Sequence, residues 1–141
     1  MEPSSEPEVK RVLVIDKQGE WRISTAQSLR ELGFLVKEAE TYTYTPEMGE
    51  IEGQGADLVL IGCPSIGRAE RELLARILKD GRHVLIFSAS LPWADMRSVF
   101  LAGVDDVTNK TYDQNRLLQA VTDVFANIAS RSSFELAKRK A

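Results

Sequence analysis

The sequence predicts an α/β domain in which a parallel sheet lies between two layers of helices. Five short, mostly apolar runs carry this prediction, at residues 12–15, 34–36, 58–61, 84–87 and 104–107. Aliphatic runs of this length are typical of strands that are covered on both faces, as in parallel sheets. Apolar residues at helical spacing separate the runs, and this alternation implies right-handed crossovers between parallel strands.

The first half of the chain contains two strands joined by a helix. The first apolar run predicts a strand over residues 10–16, and Trp21 begins a helical pattern that ends at Gly33. The second strand follows over residues 34–38. Threonines and glycines in the segment 42–54 disfavour a long helix, so one or two helical turns are the most that we expect there.

The second half alternates strand and helix more regularly. Strands are predicted over 57–61, 83–88 and 106–109, and helices over 70–79, over 92–102 and from an Asp113 cap to about Ser130. The last strand is short and polar, which is typical of the edge of a sheet.

These elements form one domain over residues 9–130. Residues 1–8 are acidic and contain prolines, which favours a disordered leader. The apolar periodicity fades after residue 130, so residues 131–141 are expected to form a helical extension or a tail.

The amino-acid composition excludes several classes of protein. Of 141 residues, 43% are hydrophobic and 28% are charged, as in ordinary globular domains. The single cysteine cannot support a disulfide framework, and no apolar stretch approaches the ~20 residues of a membrane span. A cytoplasmic protein without a membrane partner is therefore expected, and the net charge of −3 gives no reason to expect nucleic acid.

Polar or very small residues follow the predicted strands. They stand at the edge of the sheet where parallel sheets bind their ligands. Asp16, Gly62, Ser88 and Lys110 each stand at or just beyond the end of a predicted strand. Because such ligands bind at the carboxyl ends of the strands, these four residues are expected to share one crevice.

Five segments, taken in order, resemble the receiver domain of bacterial two-component response regulators. They are RVLVID at 11–16, ADLVLI at 56–61, FSA at 87–89, AGVDD at 102–106 and NK at 109–110. The resemblance implies a flavodoxin-like, doubly wound, five-stranded parallel sheet of order 2-1-3-4-5. It also implies five helices, which complete a three-layer sandwich.

The resemblance also assigns family roles to the crevice residues. In the family, two acidic residues and a phosphoacceptor aspartate hold magnesium, and a hydroxyl group and a lysine bind the phosphoryl oxygens. Asp16 matches the first acidic residue, Ser88 the hydroxyl and Lys110 the lysine. Lys17 stands at the second acidic position, however, and Gly62 stands at the phosphoacceptor position.

These two departures remove the chemistry of the family's site. Covalent phosphoryl capture needs a nucleophilic oxygen, which glycine lacks. Magnesium prefers several oxygen ligands, whereas Asp16 would be the only carboxylate of the crevice. With Lys17 and Lys110 beside it, the crevice is expected to carry one positive charge in excess. We therefore expect no catalytic residue, no metal ion, no other cofactor and no enzymatic activity.

Several single residues also have simpler interpretations. An ion pair of Asp16 with Lys17 or Lys110 is favoured over a remnant metal site, and solvated lysines are favoured over an anion site. Thr111 replaces the family's usual proline; if the family's bond there is cis, a trans bond at Thr111 would displace Lys110, so Lys110 is not assumed to point into the crevice. Cys63 is expected to be a small buried hydrophobe, and to point away from the crevice if strand geometry persists at that residue.

The favoured hypothesis is a receiver-like module of two-component phosphorelay signalling that is not phosphorylated at Gly62 and that acts by binding other proteins. The partner would be a signalling protein or a histidine kinase. By resemblance the partner surface would include Trp93, Arg97, Val107 and Leu118. Aromatic residues at helical spacing, such as Trp93 and Phe100, nevertheless face a core more often than a partner.

Two further hypotheses come from other classes. The alternative is a sensor that binds a small anion or a nucleotide at the crevice. A flavodoxin-like binder or enzyme is disfavoured, because the loop 16–20 lacks the residues that would cradle a flavin phosphate. The oligomeric state is left open, with a dimer among the options.

Overall fold

The computed structural model describes residues 9–140, so the predicted leader over residues 1–8 lies outside the described residues. In chain order its elements are β1 (Arg11–Ile15), α1 (Gly19–Glu31), β2 (Leu35–Ala39), β3 (Glu50–Ile51), β4 (Gln54–Gly55), β5 (Leu58–Gly62), α2 (Arg68–Lys79), β6 (Val84–Phe87), α3 (Trp93–Ala102), β7 (Asp106–Thr108) and α4 (Gln114–Lys140).

The five main strands form one parallel sheet in the order β2-β1-β5-β6-β7. Counted among these five strands, this is the predicted order 2-1-3-4-5, and the prediction is confirmed. The register aligns the strand ends, since Ile15 lies beside Ile61, and Gly62 and Thr108 both lie beside Phe87. The residues that follow β1, β5, β6 and β7 therefore meet at one edge of the sheet.

Helices cover both faces of the sheet. One core cluster joins Leu13, Ile15 and Ile61 to side chains of α2 and α3. The other joins Val12 and Leu60 to side chains of α1 and α4. Successive strand residues thus enter opposite cores, as the alternation of a strand requires, and the predicted three-layer sandwich is confirmed.

The segment between β2 and β5 differs from the expectation. The resemblance implied five helices, but the described residues contain four, and β3 and β4 form a short antiparallel hairpin where the remaining helix was expected. Tyr44 anchors the segment, because its buried hydroxyl donates to the Asp80 carboxylate at the end of α2. A side chain at Gly49 would overlap that hydroxyl, so this glycine is required by close packing.

Helix α4 continues without a break past the predicted domain end near Ser130. Arg131 forms an ion pair with the buried carboxylate of Asp105, which ties the beginning of the extension to the domain. Residues 132–138 are exposed. Among the helices of the described residues, none combines the length and the apolar character that a bilayer crossing requires.

Candidate functional site

Asp16 is buried at the end of β1, and both of its carboxylate oxygens have partners. Oδ1 accepts a hydrogen bond from the backbone N–H of Gln18 at 2.8 Å. Oδ2 lies 2.7 Å from the ammonium group of Lys110, and only 3% of the Asp16 side chain is exposed. A carboxylate that is held in this way by a backbone amide and an ammonium group is a structural ion pair.

Lys110 points into the crevice although the bond before Thr111 is trans, so the displacement considered for a trans bond does not occur. Its Nζ donates to the side-chain oxygen of Gln18 at 2.7 Å and lies 4.9 Å from the ring centroid of Trp21. The loop after β7 is therefore fixed to the loop after β1 by an ion pair and a hydrogen bond, and to the first turn of α1 by a cation–π contact.

The space that a side chain at residue 62 would need is already filled. A Cβ atom built on Gly62 would lie 2.2 Å from Oδ2 of Asp16 and 2.8 Å from a ring carbon of Trp21. The Trp21 ring is fully buried, packs against Phe87 and donates from Nε1 to the carbonyl of Thr111 at 3.1 Å. The phosphoacceptor position is thus both without an oxygen and closed by neighbouring side chains.

Ser88 lies at the end of β6 and is buried. Its backbone N–H donates to the carbonyl of Thr108, and its carbonyl accepts from the N–H of Lys110. Its Oγ has no hydrogen-bond partner among the described residues. The backbone of Ser88 therefore positions the Lys110 loop, while its hydroxyl takes no part in the Asp16–Lys110 pair.

The open part of the crevice is a cavity of about 490 Å³ with an even balance of charge. Its lining includes the carboxylates of Asp16 and Glu70 and the ammonium groups of Lys17 and Lys110. The predicted excess of one positive charge is therefore wrong. Glu70 reaches this cavity from the first turn of α2, where its Oε2 also accepts from the N–H of Gly67 at 3.1 Å.

Lys17 and Tyr42 form the outer wall of this cavity. The Lys17 ammonium group lies 4.7 Å from the ring centroid of Tyr42, and the Tyr42 hydroxyl donates to the carbonyl of Gly62 at 2.7 Å. Burial and the nearby Asp16 carboxylate raise the pKa of Tyr42. The phenol therefore stays protonated and serves as a hydrogen-bond donor that braces residue 62.

Cys63 lines the cavity, and the strand geometry under which it would point away does not extend to it. Strand β5 ends at Gly62, so strand alternation no longer applies to the next residue. The predicted burial is present, with 1% of Cys63 exposed. Burial raises the pKa of the thiol to about 12, with the Glu70 and Asp16 carboxylates adding to the effect, so the reactive thiolate is scarce near neutral pH.

The resemblance implies a magnesium ion at this crevice, and the residues present do not fit one. The Asp16 carboxylate is committed to Lys110, and Lys17 brings an ammonium group where a second carboxylate would be needed. Among the described residues, no three histidine, cysteine, aspartate or glutamate side chains cluster as a metal site would require. The crevice therefore lacks the set of oxygen ligands that a magnesium ion requires.

The side chains of the predicted partner surface come from three elements and differ in exposure. Trp93 and Arg97 are exposed on α3, whereas Val107 on β7 and Leu118 on α4 are half-buried. Trp93 is 75% exposed and Phe100 is 43% exposed, so the expectation that these aromatic residues enter the core is wrong. The inward positions of α3 are taken instead by residues such as Val99.

The comparisons with known proteins support the fold. The sequence matches no protein-family model, and no curated protein matches it. Solved structures do match. A CheY-like response regulator receiver domain protein from Methanospirillum hungatei has a TM-score of 0.72 at 21% identity, covering 88% of this chain and 99% of that chain.

Two further structures give the same result. A response regulator from Thermotoga maritima has a TM-score of 0.68 at 20% identity, covering 84% of this chain and 99% of that chain. The chemotaxis protein CheY4 from Vibrio cholerae has a TM-score of 0.70 at 14% identity, covering 83% and 99%. The chain therefore has the fold of response-regulator receiver domains, as the sequence resemblance predicted.

Proposed function

We propose that the chain is a receiver-like module of two-component signal transduction that is not phosphorylated at residue 62 and works by binding other proteins. The observation that supports this most directly is the filled space at Gly62. Asp16 and Trp21 occupy the volume in which a phosphoacceptor side chain would lie, and Lys110 neutralises Asp16. A receiver fold with this crevice retains its scaffold but has neither the nucleophile nor the metal ligands of the family.

The side chains of the crevice are proposed to keep a single arrangement. A ligand can shift a conformational equilibrium only by the difference between its affinities for the two states. Lys110 is already held by Asp16, by Gln18 and over the Trp21 ring, so no phosphoryl group is needed to fix it. Partner choice would then be set by the outer surface of the domain.

The proposed partner surface runs over α3, β7 and α4. Trp93 and Arg97 are one turn apart on α3, and large exposed aromatic and arginine side chains are the commonest anchors of protein interfaces. At the edge strand β7, the N–H of Val107 is satisfied by the side chain of Asp106 at 2.8 Å. A partner would therefore dock on side chains here instead of adding a strand.

Cytoplasmic signalling proteins, including a histidine kinase, are the proposed partners. The chain's single cysteine, buried and held as a thiol, is compatible with a reducing compartment. The alternative of an anion or nucleotide sensor receives less support, because the two carboxylates that line the crevice offset its two ammonium groups. The proposal includes no enzymatic activity.

Affinity capture from an extract of the source cells tests the proposed partner surface. Replacing Trp93 with alanine is expected to weaken the capture of the specific partner at least tenfold, because truncating a central interface tryptophan commonly costs about 2 kcal/mol or more. Ile23→Ala is the matched control, since Ile23 is 47% exposed on α1. Equal capture by the wild type, Trp93→Ala and Ile23→Ala would contradict the proposed surface.

A further inference from the structure

A buried carboxylate lies at the edge of the sheet opposite the crevice, where β6 and β7 begin. It belongs to Asp105, and only 4% of this side chain is exposed. Its Oδ2 accepts from the N–H of Val84 at 2.8 Å, and Nδ1 of His83 lies 3.3 Å from both carboxylate oxygens. The Arg131 guanidinium of α4 forms an ion pair with Oδ1. One buried negative charge is therefore shared by a histidine and an arginine from different elements.

Arg131 makes the last polar contact between α4 and the rest of the domain. Residues 132–138 are exposed, and among the described residues no hydrogen bond or ion pair joins them to another element. A helical segment of about ten residues is marginally stable in water unless it packs against something. The order of this extension of α4 therefore depends on the pairing of Asp105 with Arg131.

His83 can change the charge that Asp105 presents to Arg131. It is the single histidine of the chain, and 44% of its side chain is exposed, so its ring can exchange protons with solvent. Histidine is the side chain that ordinarily titrates between about pH 5 and 8. A neutral ring leaves the full negative charge of Asp105 to Arg131. A protonated ring offsets that charge, so the arginine then faces a neutral pair.

The other charged groups at this edge of the sheet contact partners of their own. They are Lys10 over the Phe125 ring, Asp57 with the backbone N–H of Arg11, Arg82 with Asp80, and Asp106 with the N–H of Val107. Among the described residues, Asp105 is therefore the charged group in contact with His83, and Arg131 is the cation that competes with it.

We propose that His83, Asp105 and Arg131 form a pH-sensitive latch on the extension of α4. The latch is closed while His83 is neutral, because Arg131 then pairs with an uncompensated carboxylate. It weakens as the pH falls through the titration of His83, and the extension frays from its C-terminal end. Since the latch lies at the edge opposite the crevice, it requires neither a phosphoryl group nor the proposed partner surface.

Backbone ¹³Cα chemical shifts of residues 132–138, recorded on the full chain, test the proposal because they report helix content at any pH. Between about pH 7.5 and about pH 5.5, the range in which histidine gains its charge, the ratio of helical to frayed extension is expected to fall about threefold. This is the size of effect typical of an ion pair with one exposed member. Carboxyl groups ordinarily titrate near about pH 4, below this range.

Three variants separate the latch from general effects of acid. His83→Asn keeps a donor near the position of Nδ1 but cannot gain a charge, so the fall is expected to disappear. Arg131→Gln is expected to leave the extension frayed at both pH values. Arg116→Gln is the matched control, because Arg116 is an exposed arginine near the other end of α4. This variant is expected to respond to pH as the wild type does.

The proposal is overturned by any of three results. The helix content of the wild-type extension could stay constant or rise on acidification, which would exclude competition between His83 and Arg131. An equal fall in the wild type and in His83→Asn would assign the response to carboxyl groups. An extension that is as helical in Arg131→Gln as in the wild type would show that the ion pair does not hold it.

Discussion

Replacing Gly62 with aspartate, which restores the family's phosphoacceptor, is expected to lower the free energy of unfolding by about 4 kcal/mol. The new Cβ atom would lie 2.2 Å from Oδ2 of Asp16 and 2.8 Å from the Trp21 ring, and both neighbours are buried. Overpacking a core costs about 1–3 kcal/mol, and a second buried carboxylate beside Asp16 adds like-charge repulsion and desolvation. Urea denaturation followed by tryptophan fluorescence, to which buried Trp21 and exposed Trp93 contribute, measures the loss.

Gly62→Ala is the matched control that separates volume from charge. It introduces the same Cβ atom without a carboxylate, so we expect a loss of about 2 kcal/mol, or roughly half of the loss in Gly62→Asp. If Gly62→Asp were as stable as the wild type and accepted a phosphoryl group, then the space at residue 62 would be open. The description of the crevice as filled would then be wrong.

Removing the Lys110 charge is expected to have the next largest effect. Lys110→Met leaves Oδ2 of Asp16 buried and without its counter-ion, which costs about 3 kcal/mol in comparable buried pairs. Thermal or urea unfolding measures this loss. Lys17→Met is the matched control, because Lys17 is an exposed lysine of the same cavity, and its loss is expected to cost less than about 0.5 kcal/mol.

The double variant Asp16→Asn, Lys110→Met isolates the ion pair. Once the carboxylate is neutral, the lysine is no longer needed as a counter-ion, so the double variant is expected to lose less stability than the two single variants together. We expect a coupling of about 2 kcal/mol in this double-mutant cycle. Strict additivity would indicate that Lys110 stabilises the loop through Gln18 and Trp21 alone.

The sheet could be predicted from the sequence because its strands are short apolar runs with both faces buried. Val12, Val14, Leu58 and Leu60 are fully buried, as are the residues that alternate with them. This pattern is local, and the sequence displays it directly. The segment after β2 has no such pattern, since the position of its hairpin depends on the distant contact between Tyr44 and Asp80.

The candidate site could be predicted only in part. Asp16, Gly62 and Lys110 follow strands of one parallel sheet, so topology alone brings them together. The spacing of Trp21 predicts only that it lies on the core face of a helix. It does not indicate that its ring closes the space beside Gly62. Glu70 was missed because it approaches from the N-terminal turn of α2, although the Gly67-to-Glu70 capping pattern places it in that turn.

The orientation of α3 could not be predicted from the sequence either. Trp93 and Phe100 share one helical face, and apolar residues such as Met96 and Val99 define another. A helix with apolar residues on two faces does not indicate which face enters the core. The structure buries Val99 and leaves the aromatic face exposed to solvent. The proposed partner surface on α3 is therefore supported by the exposure of these side chains and not by their spacing.

The central claim is that this receiver fold cannot capture a phosphoryl group, because residue 62 is a glycine and a carboxylate and an indole ring close the space beside it. Intact-mass spectrometry after incubation with acetyl phosphate and magnesium tests it most directly, with an aspartate-bearing receiver domain as the positive control for the reagent. We predict an unchanged mass for this chain while the control gains one phosphoryl group. A stoichiometric, acid-labile phosphoryl adduct on this chain would contradict the account.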